Sequence, residues 1–308
     1  MGGKGKIAMS NETSRRDFLK ATVAGTAALG ALPVSLKAAA GQGGGKLDLA
    51  KGLVYSMLPK NMSAMDRFKL ARDTGFKVIQ APTTPDQKAA EELKKAADTT
   101  GVKIDSVMNM AHWKYPLSSS DPSVVEKSLE GMRTSLHNAK LWGSDAVLLV
   151  PAVVNPQTSY HEAWVRSQKQ IRKLLPLAEE VKVVIAIEEV WNKFLLSPLE
   201  MRTYIDEFHS RWVTSWFDVG NVVFYGYPQD WIHTLGKRIS NVHLKDFKVS
   251  HSCYEWVDLG DGQVMWPAVR QALIDIGYKG SVICELKSGD EAYLRDLSNR
   301  IDRLLTHA

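Results

Sequence analysis

The chain has 308 residues, of which 44% are hydrophobic and 24% charged, so it can bury a large core and is not of the disordered class. Its formal net charge is +5, but residues 1–40 hold six basic and two acidic residues, which leaves 33 basic and 32 acidic residues in the remainder. This nearly neutral remainder argues against a surface that follows nucleic-acid phosphates, and we predict no nucleic-acid partner.

The first 40 residues have the features of an export signal. Residues 14–20, with the sequence SRRDFLK, resemble the twin-arginine motif. The Ala-, Gly- and Thr-rich run over 21–36 is too short and too weakly apolar to span a membrane, and residues 38–40 supply the small side chains that a signal peptidase needs. We predict a signal peptide over 1–40 that engages the twin-arginine export machinery. The mature chain would be periplasmic or secreted, without stable membrane insertion after cleavage.

The rest of the chain alternates between two hydrophobic patterns. After a Gly-rich linker over 41–49, short β-branched runs alternate with longer amphipathic runs, which is typical of a parallel α/β sheet. The predicted strands are 53–57, 77–81, 103–108, 145–150, 183–188, 213–218, 239–244 and 281–285. The predicted helices lie near 63–74, 85–99, 121–142, 160–180, 198–208, 228–236, 266–276 and 290–305.

Eight such units within 50–308 predict a single-domain (β/α)8 TIM barrel. A doubly wound open sheet is the alternative, but it normally has fewer strands. No G-x-G-x-x-G follows the first strand, so a dinucleotide fold is not indicated.

Potential metal ligands follow apolar residues at the ends of the last four predicted strands. They are Glu188, Asp218, His243 and Glu285. The carboxyl ends of barrel strands meet at one mouth, where three carboxylates would repel one another unless a cation neutralised them. One such residue alone is more typical of a helix cap or an ion pair. Four in succession predict a site for one divalent metal, Mn²⁺ or Mg²⁺ first, with Co²⁺ or Zn²⁺ as alternatives.

Several motifs carry a family resemblance. They are DVGN at 218–221, NVHLKD at 241–246, LGDG at 259–262 ahead of Trp266-Pro267, and the closing Glu285. With them the chain resembles the xylose-isomerase-like sugar isomerase/epimerase family over 50–308, most strongly after residue 183. That family includes ketose 3-epimerases, pentulose-phosphate epimerases and hydroxypyruvate isomerases. The resemblance implies metal ligation by the four residues above, with both glutamates also transferring protons.

The chemistry explains this combination of residues. Removing a proton beside a ketone is difficult, and a metal held near the carbonyl and a neighbouring hydroxyl stabilises the enediolate. Glu188 and Glu285, in an apolar barrel wall, are the candidates to remove and return the proton. Removing the proton from one face of the carbon and returning it to the opposite face gives an epimerase. Moving the proton between adjacent carbons on one face gives an aldose-ketose isomerase, and the sequence leaves the choice open.

Other residues near the predicted mouth are candidates for substrate binding. His112 is placed to bind a sugar hydroxyl and Trp113 to stack on its ring, although both could instead anchor a loop. Trp191 could close the pocket. Lys245 shares strand parity with His243 and could polarise an oxygen, whereas Asp246 could orient a ligand or cap a turn.

Three positions bear on how far the resemblance extends. Glu189 follows Glu188 directly, and strand alternation points the two in opposite directions; we choose Glu188 as the ligand. Ketose 3-epimerases of the family carry a further glutamate where this chain has Phe194. Some members have a histidine where this chain has Asn221. The two departures leave the substrate open.

The sequence therefore predicts an isomerase or epimerase acting on an unphosphorylated keto-sugar, because phosphorylated sugars are largely confined to the cytoplasm. A metal-dependent lyase or dehydratase of a 3-keto-glycoside or keto-inositol is the nearest alternative. A three-zinc apurinic endonuclease would need more strand-end histidines, and a non-catalytic exported sugar-binding protein would not need two acid/base groups. A homo-oligomer is compatible with the family, but nothing in the sequence specifies one.

Overall fold

A computed structural model describes residues 47–250 and 253–306. The described chain contains the strands β1 (Ala50–Val54), β2 (Val78–Pro82), β3 (Lys103–Met108), β4 (Ala146–Leu149), β5 (Val184–Glu188), β6 (Val213–Asp218), β7 (Ile239–Leu244), β8 (Asp246–Ser250), β9 (Cys253–Val257) and β10 (Ser281–Cys284). The predicted signal peptide over 1–40 and most of the predicted linker over 41–49 lie outside the described residues. Of the three linker residues that are described, Leu47 and Leu49 are buried and Asp48 is exposed.

Eight of these strands close into a barrel. They are parallel, in the order β1-β10-β7-β6-β5-β4-β3-β2, which confirms the predicted (β/α)8 architecture. The strands are short and rich in buried Val, Ile, Leu and Ala, as strands covered on both faces must be. Consequently β5, β6, β7 and β10 are consecutive neighbours, and the residues at their carboxyl ends share one side of the mouth.

Helices surround the barrel. They are α1 (Ala64–Asp73), α2 (Gln87–Thr100), α3 (Pro122–Trp142), α4 (Tyr160–Val181), α5 (Pro198–Asp206), α6 (Pro228–Leu235), α7 (Trp266–Asp275) and α8 (Glu291–Ile301). Six begin behind a side chain that accepts a backbone N–H of the first turn, namely Ser63, Asp86, Asp121, Ser159, Ser197 and Asp290. Each such cap stabilises its helix by about 1 kcal/mol. Gly101 and Gly143 end α2 and α3 with positive φ, the conformation that glycine adopts without steric penalty.

Two elements differ from the sequence prediction. The first strand begins at Ala50, three residues earlier than predicted, and Tyr55–Met57 form a 3-10 turn instead of strand. In addition, β8 and β9 pair antiparallel as a hairpin between the seventh barrel strand and α7, where no strands were predicted. Within the described residues, no helix is both long and apolar enough to cross a membrane.

Candidate metal centre

The four predicted ligands converge at the barrel mouth. Glu188, Asp218, His243 and Glu285 each offer one ligand atom, and these atoms all lie within 4.8 Å of one another. Asp218 and His243 are partners in the register of β6 and β7. The side chains of Asp218 and His243 are fully buried, that of Glu188 is nearly so, and that of Glu285 is 30% exposed. The cluster is therefore largely shielded from water but open on the side of Glu285.

The His243 ring is held between acidic groups and a buried amide. Its Nδ1 lies 2.9 Å from Glu188 Oε1, 3.2 Å from Glu285 Oε2 and 3.7 Å from Asp218 Oδ2. Its Nε2 lies 2.9 Å from Gln80 Oε1, an oxygen that can only accept a hydrogen bond. Gln80 thus fixes the ring so that Nε2 carries a proton and Nδ1 faces the carboxylates.

Burial opposes the charged form of His243, but the negative charges of Glu285 and Glu188 outweigh it and raise the pKa of His243 to about 9. Burial raises the pKa of Glu188 above its usual value, although the hydrogen bond with His243 acts in the other direction. For Glu285 the effect of burial is outweighed by the charges of His243 and Lys245, and its pKa is lowered. The surroundings therefore raise the pKa of Glu188 and lower the pKa of Glu285.

The sequence around Asp218 positions its second oxygen toward the cluster. Asp218 Oδ1 accepts the backbone N–H groups of Gly220 and Asn221 at 2.8 and 2.9 Å. Oδ2 is buried and accepts no hydrogen bond, although Lys245 Nζ lies 2.9 Å from it as an ion-pair partner. A Cβ on Gly220 would lie 2.5 Å from Lys245 Cβ and 3.0 Å from the Trp256 ring. Glycine is thus needed for these side chains to approach.

Lys245, which shares strand parity with His243, lies beside the cluster. Its Nζ lies 2.6 Å from Glu285 Oε2 and 2.9 Å from Asp218 Oδ2. Burial alone would lower the pKa of Lys245, but the charges of Asp218 and Glu285 raise it above its usual value. Lys245 therefore stays protonated at the edge of the site.

A further buried carboxyl group beside the cluster, that of Glu189, is not among the site residues predicted from the sequence. Its Oε1 accepts the backbone N–H of Asp218 at 2.8 Å, and its buried Oε2 accepts no hydrogen bond. Burial and the charges of Asp218 and Glu188 raise its pKa well above the usual value. Glu189 supports the strand end that carries Asp218.

The donor set fits a divalent cation. Glu188, Asp218 and Glu285 bring three carboxyl groups within 4.8 Å of the His243 ring nitrogen, a grouping in which the carboxylates repel one another unless cations lie between them. Asp218 has its Oδ1 held by two backbone N–H groups, and His243 has its Nε2 held by Gln80, so the second ligating atom of each side chain is oriented by an outer partner, as is usual for metal ligands. Carboxylate oxygens with one imidazole suit Mn²⁺ or Mg²⁺ better than a thiolate-preferring metal.

A cavity of about 200 Å³ opens beside the cluster. Glu188, Glu285 and Lys245 line it together with His112, Trp113, Trp191, Asn221 and Trp256. Four of the five predicted substrate-binding residues, His112, Trp113, Trp191 and Lys245, are thus brought to one cavity.

His112 is buried and neutral. Burial lowers its pKa to about 4, and its Nδ1 accepts the backbone N–H of Val150 at 3.3 Å. The neutral ring therefore carries its proton on Nε2. Trp113 is 58% exposed and packs edge-on against His112, with the ring centroids 5.2 Å apart.

A pair of tryptophans also lines the cavity. Trp191 and Trp256 stack with centroids 5.0 Å apart and planes 23° from parallel, and Trp191 Nε1 donates to the Asn221 backbone oxygen at 2.9 Å. Asn221, one of the two departures from the family pattern, thus positions Trp191. The other departure, Phe194, is buried against Tyr160 and packs in the core away from the cavity lining.

Asp246 does not line this cavity, and we withdraw its predicted role in substrate binding. Its fully buried carboxylate accepts four hydrogen bonds, from the backbone N–H groups of Phe247, Gly260 and Val264 and from Trp266 Nε1. Three of these four donors, on Gly260, Val264 and Trp266, belong to the chain that follows the hairpin, so the carboxylate is bound there and not at the cavity. The other role that the sequence suggests for Asp246, capping a turn, matches these hydrogen bonds.

Two site residues escaped the sequence analysis because their signals were weak. Gln80 is a polar residue inside an apolar strand, and Trp256 belongs to the alternating pattern of β9, where Tyr254 and Trp256 are separated by Glu255. The sequence indicates Gln80 only as a polar residue within an apolar strand. It indicates Trp256 only through an alternation with a period of two.

Comparisons with known proteins agree with the fold. A model of the family described as xylose isomerase-like TIM barrel matches residues 68–304, and a twin-arginine translocation signal model matches residues 12–33. The L-ribulose-5-phosphate 3-epimerase UlaE of Escherichia coli O1:K1 is 25% identical over 248 residues, which cover 77% of this chain and 87% of that protein. UlaE of Salmonella dublin is 24% identical over 250 residues, with 77% and 87% covered.

Solved structures share the architecture. The apo 3-keto-D-glucoside 4-epimerase YcjR from E. coli superposes with a TM-score of 0.70 at 16% identity, covering 83% of this chain and 98% of that one. The D-allulose 3-epimerase from Methylomonas sp., in complex with D-allulose, gives 0.70 at 18% identity, covering 84% and 97%. The relatives are epimerases, which confirms the expectation of an enzyme of the isomerase class. The chain belongs to the xylose isomerase-like TIM barrel family.

Proposed function

We propose that this chain is a divalent-metal-dependent sugar epimerase or isomerase that acts on an unphosphorylated keto-sugar. The observation that carries the proposal is the convergence of Glu188, Asp218, His243 and Glu285 within 4.8 Å beside a cavity. The epimerase relatives, which span most of the chain, support the same reaction class.

Glu188, Asp218, His243 and Glu285 would hold the metal, with Mn²⁺ or Mg²⁺ the best match to the donors. When bound, the cation supplies Lewis-acid stabilisation of negative charge on substrate oxygens. Gln80 and the backbone N–H groups that bind Asp218 Oδ1 hold two of the ligands in orientation before any metal arrives.

Glu188 and Glu285 are the proposed proton-transfer groups. One carboxylate removes the proton from the carbon beside the ketone, the C–H electron pair becomes the C=C bond, and the carbonyl π pair moves to oxygen. The other carboxyl group returns a proton to the enediolate. Their strands, β5 and β10, are separated by β6 and β7, so the two groups reach the cavity from different directions. Return of the proton to the opposite face of the same carbon inverts the centre, and both carboxyl groups then re-equilibrate with water.

Lys245 and His112 complete the proposed site. The protonated Lys245 Nζ and the Nε2–H of His112 are hydrogen-bond donors available to substrate oxygens, because His112 uses Nδ1 as an acceptor for Val150. A neutral imidazole donates a hydrogen bond to a developing oxyanion without placing a further charge in the site.

The charge of the cavity wall favours an unphosphorylated substrate. Among the described residues that line it, Glu188 and Glu285 face a single cation, Lys245, which is already paired with carboxylates. Within that lining, a phosphate group would have to displace a carboxylate from Lys245. The twin-arginine signal match supports export, and we place the mature enzyme in the periplasm or outside the cell.

The test is solvent-exchange NMR of keto-sugars in deuterated water with purified, metal-loaded protein. We expect a carbon-bound proton to be replaced by deuterium, with the loss of exchange on chelation and its return with Mn²⁺. Glu188→Gln should lower the exchange rate by about 10²- to 10⁴-fold, the contribution of a general acid/base. Glu130→Gln, an exposed glutamate on α3, is the matched control and should leave the rate unchanged.

The reaction products distinguish the epimerase, isomerase and lyase that the sequence leaves open. Inversion at one carbon identifies an epimerase, a shifted carbonyl an isomerase, and loss of water or of a glycosyl group a lyase. Binding of keto-sugars without deuterium exchange at any carbon, in protein with one equivalent of metal, would identify a binding protein and refute the proposal.

A further inference from the structure

A second cavity adjoins the cavity at the candidate metal centre. This second cavity, of about 350 Å³, is bounded by Asp258, Leu286 and Lys287, which follow β9 and β10. Lys245, Trp256 and Glu285 line both cavities, so the two meet at the edge of the proposed site. The first cavity alone, at about 200 Å³, is smaller than the roughly 300–1,000 Å³ usual for a ligand pocket, whereas the two together fall within that range.

We propose that the second cavity binds a second sugar ring, so that the substrate is a keto-sugar linked to another sugar unit, as in a disaccharide or glycoside. This inference rests on the proposed function, because the reacting ring must occupy the first cavity. It names the class of substrate that the same centre takes.

The wall of the second cavity combines the two kinds of surface that a sugar ring needs. Trp256 is 42% exposed and offers aromatic surface to the C–H face of a pyranose, and Leu286 adds an apolar side. Asp258 offers a carboxylate to sugar hydroxyls. Its Oδ1 accepts the Tyr293 hydroxyl at 2.9 Å and its Oδ2 lies 3.3 Å from Lys287 Nζ, so the carboxylate is oriented before a ligand arrives.

Trp256 itself is held in place. It stacks on Trp191, packs on Phe247 with centroids 4.7 Å apart, and has Lys245 Nζ 5.3 Å from its ring centroid. Aromatic side chains with few rotatable bonds lose little entropy when they bind a ligand. The contact with Lys245 also links the second cavity to the carboxylates of the centre.

The charges favour a neutral occupant. In the second cavity Asp258 and Glu285 are balanced by Lys245 and Lys287, and both lysines lie within ion-pair distance of one of those carboxylates. A phosphate would have to displace a carboxylate from a lysine. Sugar hydroxyls, in contrast, can bind to paired charges as donors and acceptors without separating them.

The test compares matched probes that differ by one ring. D-fructose is compared with maltulose, which carries a glucosyl unit on fructose, and methyl 3-keto-glucoside is compared with 3-ketotrehalose. In at least one of the two pairs, we expect kcat/KM for solvent deuterium exchange to be at least about tenfold higher for the two-ring sugar than for the one-ring sugar. This ratio corresponds to about 1.4 kcal/mol of added transition-state stabilisation. Leu286→Trp, which fills the second cavity, should lower that two-ring to one-ring ratio at least fivefold. Leu199→Trp, an exposed leucine on α5, is the matched control.

The outcomes separate this inference from the proposed function. One-ring probes that exchange as well as two-ring probes in both pairs, or a ratio unaffected by Leu286→Trp, would overturn the second sugar site and leave the enzyme proposal intact. A dimer in sedimentation that Leu286→Trp dissociates would assign the cavity to a second copy of the chain and also overturn it. Calorimetric titration with trehalose needs no turnover. Binding that exceeds D-glucose binding and is lost in Leu286→Trp supports the site even if no probe exchanges, and equal weak binding of both sugars refutes it.

Discussion

The hydrogen bond between Gln80 and His243 is the sharpest test of the metal centre, because Gln80 touches no carboxylate of the cluster in the contacts described above. We expect Gln80→Leu to weaken Mn²⁺ binding. The substitution keeps a side chain of similar size in the barrel but removes the acceptor 2.9 Å from His243 Nε2. Both residues are fully buried, so water does not readily replace the lost oxygen.

The magnitude follows from the alternatives left to the ring. If Nε2 keeps its proton, a buried donor stays unsatisfied, at about 1–3 kcal/mol, which at 1.4 kcal/mol per factor of ten is about 5- to 150-fold in affinity. If the proton moves to Nδ1, the nitrogen that faces the carboxylates can no longer bind a metal. Loss of an outer partner of a metal-bound histidine weakens binding by about 10- to 100-fold in general, which agrees with the first estimate.

Mn²⁺ affinity would be measured by calorimetric titration of chelator-treated protein. Gln80 Nε2 has no hydrogen-bond partner, and Gln80→Glu keeps an oxygen acceptor while adding a carboxyl group beside His243, so Mn²⁺ affinity should not fall below that of the original protein. Gln168→Leu is the matched control, since Gln168 is a buried glutamine on α4 that donates to Glu207 away from the site. Unchanged Mn²⁺ affinity in Gln80→Leu, or an equal loss in Gln168→Leu, would refute the reasoning.

Three further predictions concern stability, each measured by urea unfolding. Gly220→Ala should destabilise the protein by about 1–3 kcal/mol, because the new Cβ would lie 2.5 Å from Lys245 Cβ; an unchanged midpoint would contradict the close approach. Asp246→Ala should lower the free energy of unfolding by about 1–3 kcal/mol or more, since the four hydrogen bonds it accepts lose their acceptor; a loss below 1 kcal/mol would contradict that role. Because the pKa of His112 is lowered to about 4 from 6.5, the unfolded state binds more protons between these values, and stability should fall by up to about 3 kcal/mol as the pH falls from 6.5 to 4. His112→Asn should flatten this part of the profile, and an identical slope in both proteins would exclude His112 as its source.

The barrel and its acidic mouth could be predicted because they follow from local patterns. Each strand is a short apolar run, and each of the four clustered residues follows such a run directly, as in Ile187-Glu188 and Phe217-Asp218. In a parallel barrel the end of a strand determines its position at the mouth. The convergence of the four residues therefore required only the correct number and order of strands.

The missed features depend on tertiary contacts. Gln80 lies on β2, which is not adjacent to the strands of the cluster, and its contact with His243 crosses the barrel interior. The hairpin of β8 and β9 has no counterpart among the strand-helix units that the sequence predicts, although its alternation has a period of two. Asp246 illustrates the reverse case: its place beside His243 and Lys245 in sequence suggested the site, and its side chain turns to the next loop instead.

The hydrogen bonds that Asp246 accepts from the chain after the hairpin also separate the structure of the hairpin from that of the metal centre. The hairpin is inserted directly after Lys245, and the carboxylate of Asp246 binds the chain again at Gly260 and Val264, where it returns from the hairpin. Both ends of the insertion are therefore fixed to one buried group, and the strand that carries His243 is not disturbed by what lies between them. Trp256, one of the three residues that line both cavities, belongs to the inserted segment. Changes in the hairpin can thus alter which sugars fit while leaving the four ligands in place, a separation of substrate choice from chemistry that barrel enzymes commonly achieve through their loops.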